Sequence, residues 1–227
     1  MNPDDLTSIL QRGANDAWGL GLTDLQISQL VRYAEILVDW NANRMNLTRL
    51  TSTHDIAVKH FLDSLALLKT VGISRGTRIV DVGTGAGLPG IALKIARPDL
   101  DITLLDSTAK KLTFCRAVID DLGLTGIDTV HGRAEEVGTS MEHGRRYGLV
   151  TARAVASMDK LLPWCAPFAA PRGGRIVAMK GALAVEELST ARPVAKRLRL
   201  RLDDPIEIAL PEAEEETVRQ IVVAHVV

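Results

Sequence analysis

Residues 77–90 read Thr-Arg-Ile-Val-Asp-Val-Gly-Thr-Gly-Ala-Gly-Leu-Pro-Gly, an apolar β-prone run that drops into a glycine-dense turn and then a helix start. Val80 and Val82 give strand character, Gly83, Gly85 and Gly87 permit close backbone approach, and Pro89 suits a first helical turn. A strand-to-helix turn of this kind aims free N–H groups and the positive helix end at whatever lies above the sheet. Gly85 to Gly90 also spells G-x-G-x-x-G, the dinucleotide fingerprint, which alone is a weak signal. Asp81 argues against a pyrophosphate there, because like charges repel, whereas an ammonium or sulfonium is attracted. S-adenosylmethionine (SAM) carries both. The next β-prone run, Ile102 to Asp106, ends in an acid about 20 residues past the glycines, the spacing at which a carboxylate accepts from both ribose hydroxyls of an adenosine ligand.

From residue 77 strand-like and helix-like runs alternate, with strands at 78–82, 101–106, 126–131, 147–153 and 174–180 and helices near 89–97, 108–122, 157–169 and 183–191. This alternation predicts an α/β fold, a mostly parallel, doubly wound Rossmann-like sheet with ligand above the strand C-terminal ends. The tail differs. Residues 196–210 and 219–227 are β-prone and joined by acidic 212–216 with no room for a crossover helix, which predicts an antiparallel pair closing the sheet. Ahead of the sheet, 4–18 and 23–40 have helical patterns, Thr23-Asp-Leu-Gln26 is a capping box, 41–48 is a polar loop, and a third helix carries Ile56, His60, Phe61, Leu65 and Leu68. Residues 1–72 are thus expected as a helical N-terminal extension and 73–227 as the SAM-binding domain, packed as one unit.

The chain has 227 residues, 46% of them hydrophobic, enough for one full core and a small extension. No run of 18 apolar residues occurs, and Met1-Asn-Pro-Asp-Asp5 lacks the basic and apolar regions of a secretory leader. A soluble, cytoplasmic protein without membrane contact is expected. Cys115 and Cys165 are far apart and form no C-x-x-C, so no metal site is expected. With a net charge of −1, nucleic-acid binding requires uneven charge. Eight Lys and Arg lie between Arg172 and Arg201 against Glu186 and Glu187, and Lys196 to Leu202 alternates basic and apolar residues, placing Arg197, Arg199 and Arg201 on one strand face. Either phosphates lie along that face or its charges guard an edge strand against aggregation.

Trp40-Asn41 with Asn46-Leu47-Thr48, His60-Phe-Leu-Asp63-Ser64, Asp81 to Gly90, Leu105-Asp106-Ser107, Arg153-Ala154-Val-Ala-Ser157 and Lys180-Gly181 together resemble the bacterial RsmG (GidB) family. The resemblance runs from about residue 23 to 181, and the tail departs from it, with Arg219-Gln220 entering the last strand where family members carry an Arg-His or similar pair. It implies a class I SAM-dependent methyltransferase fold and methyl transfer to N7 of a specific guanine in 16S ribosomal RNA. The partner implied is that RNA or the small ribosomal subunit, met by a monomer. Cofactor contacts are implied at Gly83, Leu88, Ala134, Glu135 and Arg153, beside Asp81, Gly85, Gly87 and Asp106 read from the turn and second strand.

Glu135 either accepts from the adenine amine or is a solvated first-turn residue, and Arg153 either borders the reaction site or ion-pairs with Asp81 or Asp106. Asn46, His60, Asp63 and Lys180 are substrate-side candidates; His60 and Asp63 share a helical face, and Lys180 contacts substrate or merely ends a strand. The fourth strand reads Thr151-Ala-Arg-Ala, without the Asn/Asp-Pro-Pro-aromatic turn typical of exocyclic-amine methylation, and Cys165 lacks the Pro-Cys loop of a cytosine-C5 nucleophile. Guanine N7 needs no general base, so alignment supplies much of the rate. Two rivals share the topology: a nicotinamide-dependent oxidoreductase, disfavoured by Asp81, and a non-catalytic nucleotide-binding domain.

Overall fold

The computed structural model describes residues 1–181, 185–213 and 217–227. Ahead of the sheet come α1 (Pro3–Leu10), a wider π-type stretch over Gln11–Ala17, α2 (Asp24–Asn43), the single turn α3 (Thr53–Asp55), a second π-type stretch over Ile56–Leu62, and α4 (Asp63–Thr70). The capping box at Thr23 forms as expected, its hydroxyl accepting from the Gln26 N–H while Gln26 Oε1 accepts from the Thr23 N–H at 2.9 Å. α2 runs on to Asn43, past the last apolar position of its repeat, so the polar loop begins at Arg44.

The alternating part contains β1 (Arg78–Val82), α5 (Gly90–Ala96), β2 (Asp101–Asp106), α6 (Ala109–Asp121), β3 (Ile127–His131), α7 (Ala134–Val137), β4 (Leu149–Arg153), α8 (Met158–Cys165) and β5 (Arg175–Lys180). After it come α9 (Val185–Arg197), β6 (Leu200–Leu202), β7 (Ile206–Ala209) and β8 (Val218–Val226). The strand order is β3-β2-β1-β4-β5-β8-β6, with β7 also on β8; β1 to β5 are parallel and the tail strands antiparallel. The order reverses between β1 and β4, and the crevice above their C-terminal ends is where open α/β sheets place ligands.

The tail corrects one expectation. Residues 196–202 are not a single strand: Arg197 ends α9, Arg199 turns with φ +56°, and only Leu200–Leu202 pair with β8. Helix prevails because Leu188, Ala191, Ala195 and Leu198 recur at helical spacing and pack on the apolar face of the sheet, while Lys196 and Arg197 suit the negative helix end. Arg197, Arg199 and Arg201 therefore do not share a strand face. β6 and β7 line the same edge of β8, since Ala224 pairs with both Ile176 and Leu202, and Ile221 with both Met179 and Ile206. The expected helix start at 183–184 and the acidic connection at 214–216 lie outside the described residues.

Successive strand residues point to opposite faces, which separates two apolar clusters. Val80, Val82, Leu105 and Val150 face α8 and α9. Ile79, Ile102, Leu104 and Leu149 face α5, α6 and the N-terminal helices, so the extension and the sheet share one core. Tyr33 of α2 is fully buried there against Phe61 (ring centroids 5.4 Å) and Phe114 (6.2 Å), and its hydroxyl donates to the Ala86 carbonyl inside the glycine turn. Gln26 Nε2 caps the C-terminal carbonyls of α5, Ile95 O at 2.9 Å and Ala96 O at 3.0 Å. Tyr33→Phe keeps the ring and strands the Ala86 carbonyl, so the expected loss is about 1–3 kcal/mol in urea unfolding; a variant as stable as the parent would show that the hydroxyl contributes nothing.

Candidate active site

The turn after β1 is shaped by hydrogen bonds that its own residues supply. Gly83 and Gly85 have φ of +70° and +59°, and a Cβ on Gly83 would lie 2.8 Å from Val155 Cγ2. Beneath the turn the fully buried Asp81 accepts from the Thr84 hydroxyl (2.6 Å), the Gly90 N–H (3.0 Å) and the Thr151 hydroxyl (3.2 Å). Burial raises the Asp81 carboxyl above the usual carboxylate range, against the lowering effect of those donors. Its oxygens are thus spent inside the turn, and Asp81 does not face a ligand as expected from the sequence; β1 alternation turns it toward α5.

Two cavities open above the strand ends. The first is lined by Val82, Gly83, Leu105, Asp106, Ser107, Gly132, Arg133, Ala134, Glu135, Val155 and Trp164. It gathers four of the expected cofactor residues, Gly83, Asp106, Ala134 and Glu135. Asp106 Oδ2 accepts from the Gly85 N–H (3.0 Å) and Oδ1 from the Thr108 N–H (2.8 Å), which fixes the carboxylate at the end of β2. Leu88 is instead buried in the core and lines neither cavity. Arg133, Val155 and Trp164 carry no sequence signal as lining residues, and Cys165 beside Trp164, its thiol pKa raised by burial, is no nucleophile.

The second cavity, of about 320 Å³, is lined by Leu50, Lys59, His60, Asp63, Arg153, Ala154, Met179, Lys180, Gly181 and Arg219. In its wall Asp63 bridges two cations, accepting from Arg153 Nη1 (3.0 Å) through Oδ2 and from Arg219 Nε (2.9 Å) through Oδ1. Arg153 also donates to the carbonyls of Lys59 (3.2 Å) and His60 (3.4 Å) in the π-type stretch. Its partner is thus neither Asp81 nor Asp106, and it belongs to this second cavity rather than to the first. Lys180 reaches Glu187 Oε1 (2.6 Å), which also accepts from the Met158 N–H (2.7 Å), so it ties β5 to the starts of α8 and α9. Asn46 is exposed and lines neither cavity. Arg219, missed as a site residue, enters the last strand where the Arg-Gln pair marks the chain's departure from the family pattern.

Consecutive residues line the two cavities, Arg153 and Ala154 the second and Val155 the first, and Ala154 has φ +53°, a left-handed backbone that costs a non-glycine residue about 1–2 kcal/mol. His60 Nε2 lies 2.9 Å from the Thr48 hydroxyl, which accepts from the Leu50 N–H (3.0 Å), while Nδ1 is buried without a partner among the described residues. Burial and then the Arg153 charge push the His60 pKa down to about 4, so the ring is neutral. Among the described residues no group of three or more His, Cys, Asp or Glu is placed to hold a metal ion, and no helix is long and apolar enough to cross a membrane.

The family model for GidB, described as rRNA small subunit methyltransferase G, matches residues 26–202. The chain belongs to the GidB family. Enzymes named ribosomal RNA small subunit methyltransferase G from Alkaliphilus oremlandii and Pelotomaculum thermopropionicum are similar to it, with 40% identity over 207 residues and 43% over 206, covering 91% of this chain and 85% of each relative. Among solved structures, a SAM-dependent methyltransferase from Aquifex aeolicus has a TM-score of 0.54 at 17% identity, covering 74% of this chain and 91% of that one. A precorrin-6y C5,15-methyltransferase from Geobacter metallireducens has a TM-score of 0.52 at 14% identity, covering 79% and 90%. The fold of this GidB chain is that of class I SAM-dependent methyltransferases.

The neutral His60 links site to stability. The unfolded chain takes up a proton near pH 6.5 and the folded chain only near 4, so stability rises with pH between those values and is lost as pH falls through them. The loss attributable to His60 is on the order of 3 kcal/mol. His60→Gln is expected to flatten the pH 4–6.5 limb of urea-unfolding stability; an unchanged limb would mean that the acid sensitivity lies elsewhere.

Proposed function

We propose that this chain transfers the methyl group of SAM to N7 of a specific guanine in 16S ribosomal RNA, in the cytoplasm. The observation that supports this best is that consecutive residues, Arg153 to Val155, line a cavity suited to an adenosine ligand on one side and a cationic cavity that offers no free base on the other.

The first cavity fits SAM. A carboxylate has about four acceptor positions, and Asp106 gives one to Gly85 and one to Thr108, which leaves capacity for two ribose hydroxyls. Glu135 would accept from the adenine amine, and Leu105, Val155 and Trp164 supply apolar walls for the ring. Gly83 belongs to the cradle because its missing Cβ is what leaves room beside Val155. When bound, SAM supplies an electrophilic methyl on a sulfonium.

The second cavity suits the RNA nucleotide. Arg153 and Arg219 bring two guanidinium groups against one carboxylate, and the Arg153 nitrogens other than Nη1 have no partner among the described residues. Planar guanidinium donors match phosphate oxygens and carbonyl acceptors. Asp63 is held by both arginines, Lys180 by Glu187, and His60 is a weak base, its pKa pushed down to about 4, with Nε2 on Thr48 and Nδ1 shut away from the cavity by burial, so none of them is poised to remove a proton. Guanine N7 carries no proton, and the reaction then depends on alignment.

Asp106→Ala is expected to weaken SAM binding by about 1.5–3 kcal/mol in calorimetry with the fold retained; unchanged affinity would remove the first cavity as the cofactor site. Arg153→Lys keeps charge and loses the planar fork, and it is expected to lower turnover more than SAM affinity, with the product still cleaved by chemistry selective for 7-methylguanine. Methyl found on an exocyclic amine would overturn the reaction proposed.

A further inference from the structure

The end of the sheet away from the cleft, beside β6, carries a second basic surface. α9, the turn at Arg199 and β6 enclose an open groove of about 470 Å³ whose rim includes Arg192, Lys196, Arg199 and Arg201. Its floor is apolar, with Ala195 and Leu200 buried and Leu202 beside them. Arg192 and Arg201 pair with Asp204 (2.7 Å) and Asp203 (3.2 Å) in exposed contacts that hold little energy. Lys196, Arg197 and Arg199 have no acidic partner among the described residues. The rim thus carries more positive charge than its own acids neutralise.

Two features set this groove apart from ordinary surface charge. The first is Arg199, which sits at φ +56° in a left-handed turn where glycine or asparagine carries less strain. Left-handed residues commonly close helices, and here the turn leads from α9 into β6 with Arg199 lining the groove. The second is place. Lys180 pairs with Gln220 at the upper end of β8, and Arg175 pairs with His225 at the lower end, level with β6. Five residues of strand separate the two rows, roughly 17 Å, so the groove is not part of the cationic cavity.

We propose that this groove is a second seat for the phosphodiester backbone of the RNA acceptor, so that the RNA is held at the cleft and at the far end of β8 together. The inference rests on the reading of the chain as an RNA methyltransferase and adds the extent of its substrate. Phosphates meet the cationic rim, with counterion release as the driving term, and the apolar floor takes a sugar or base face. A substrate that reaches both places is a long folded RNA, and a short hairpin bearing the acceptor guanine reaches only the cleft. The competing role, charges that keep the three-residue edge strand β6 from pairing with another sheet, involves no RNA.

The test is the double variant Lys196→Gln with Arg199→Asn, in which asparagine tolerates the left-handed backbone. Binding of small-subunit RNA and of a short acceptor hairpin is titrated against salt for the parent and the variant. The expected result is a salt slope shallower by about 2 on the long RNA, with the hairpin bound as by the parent. Equal slopes on the long RNA, or the same loss on both RNAs, would overturn the second seat. Should the variant fold poorly, amine acylation of the parent decides: Lys196 is expected to be protected by naked small-subunit RNA. Full reactivity overturns the inference, and so does protection that appears only when ribosomal proteins are added, which would assign the groove to a protein. A parent that methylates no RNA would instead overturn the proposed function, whereas a methylating parent with an unaltered variant removes only the second seat.

Discussion

One buried carboxylate holds the cleft together. Asp81 lies where the end of β1, the glycine turn, the first turn of α5 and the middle of β4 converge, and it accepts a hydrogen bond from each of the last three. Taking a carboxylate out of water is costly, but a bond to a charged acceptor contributes about 1.5–3 kcal/mol, and three of them offset much of that. The turn is fixed before any ligand arrives. Gly90 shows how tightly: a Cβ there would lie 2.3 Å from Leu104 Cδ2 and 3.0 Å from Asp81 Oδ2, so this glycine is needed for packing and not for an unusual φ.

The helical extension belongs to the cleft as much as the sheet does. Tyr33 reaches the glycine turn through Ala86, and the π-type stretch over Ile56–Leu62 turns the Lys59 and His60 carbonyls toward Arg153. Such wide turns inside helices recur at functional sites, and here the stretch leads directly into Asp63. That aspartate then joins a helix before the sheet to the fourth and last strands. Removing it would leave two partly buried guanidinium groups facing each other.

The alternation from residue 77, the capping box at Thr23 and the acid ending β2 are local patterns, and each was legible because one period or one spacing carries it. Gly83, Asp106, Ala134 and Glu135 come together because they follow the ends of three neighbouring parallel strands, a consequence of topology that alternation already implies. What was not legible depends on partners distant in the chain. The orientation of Asp81 follows from Thr151, the partner of Arg153 from Asp63, and the place of Arg219 from a register between β5 and β8 that no local pattern encodes. The basic stretch at 196–202 reads differently for another reason: alternating Arg and Leu over a few residues fits a strand, but the apolar spacing that begins at Leu188 carries the helix to Arg197 and a turn at Leu198–Arg199 leaves only Leu200–Leu202 as strand.

The pairing of Asp63 with Arg219 spans 156 residues of sequence, and that separation orders events in time as well as in space. A nascent chain can assemble the helical preface and the first parallel strands as they emerge, since domains form largely from the N-terminus onward during synthesis. The cationic cavity lacks Arg219 until β8 lies beside β5, and among the described residues β6 and β7 find their strand partner only in β8. One strand thereby inserts the last guanidinium and closes the sheet in the same step. A chain that lacks β8 therefore has its glycine turn but not the Asp63–Arg219 pair, and the second cavity gains its full lining only when the last strand is in place.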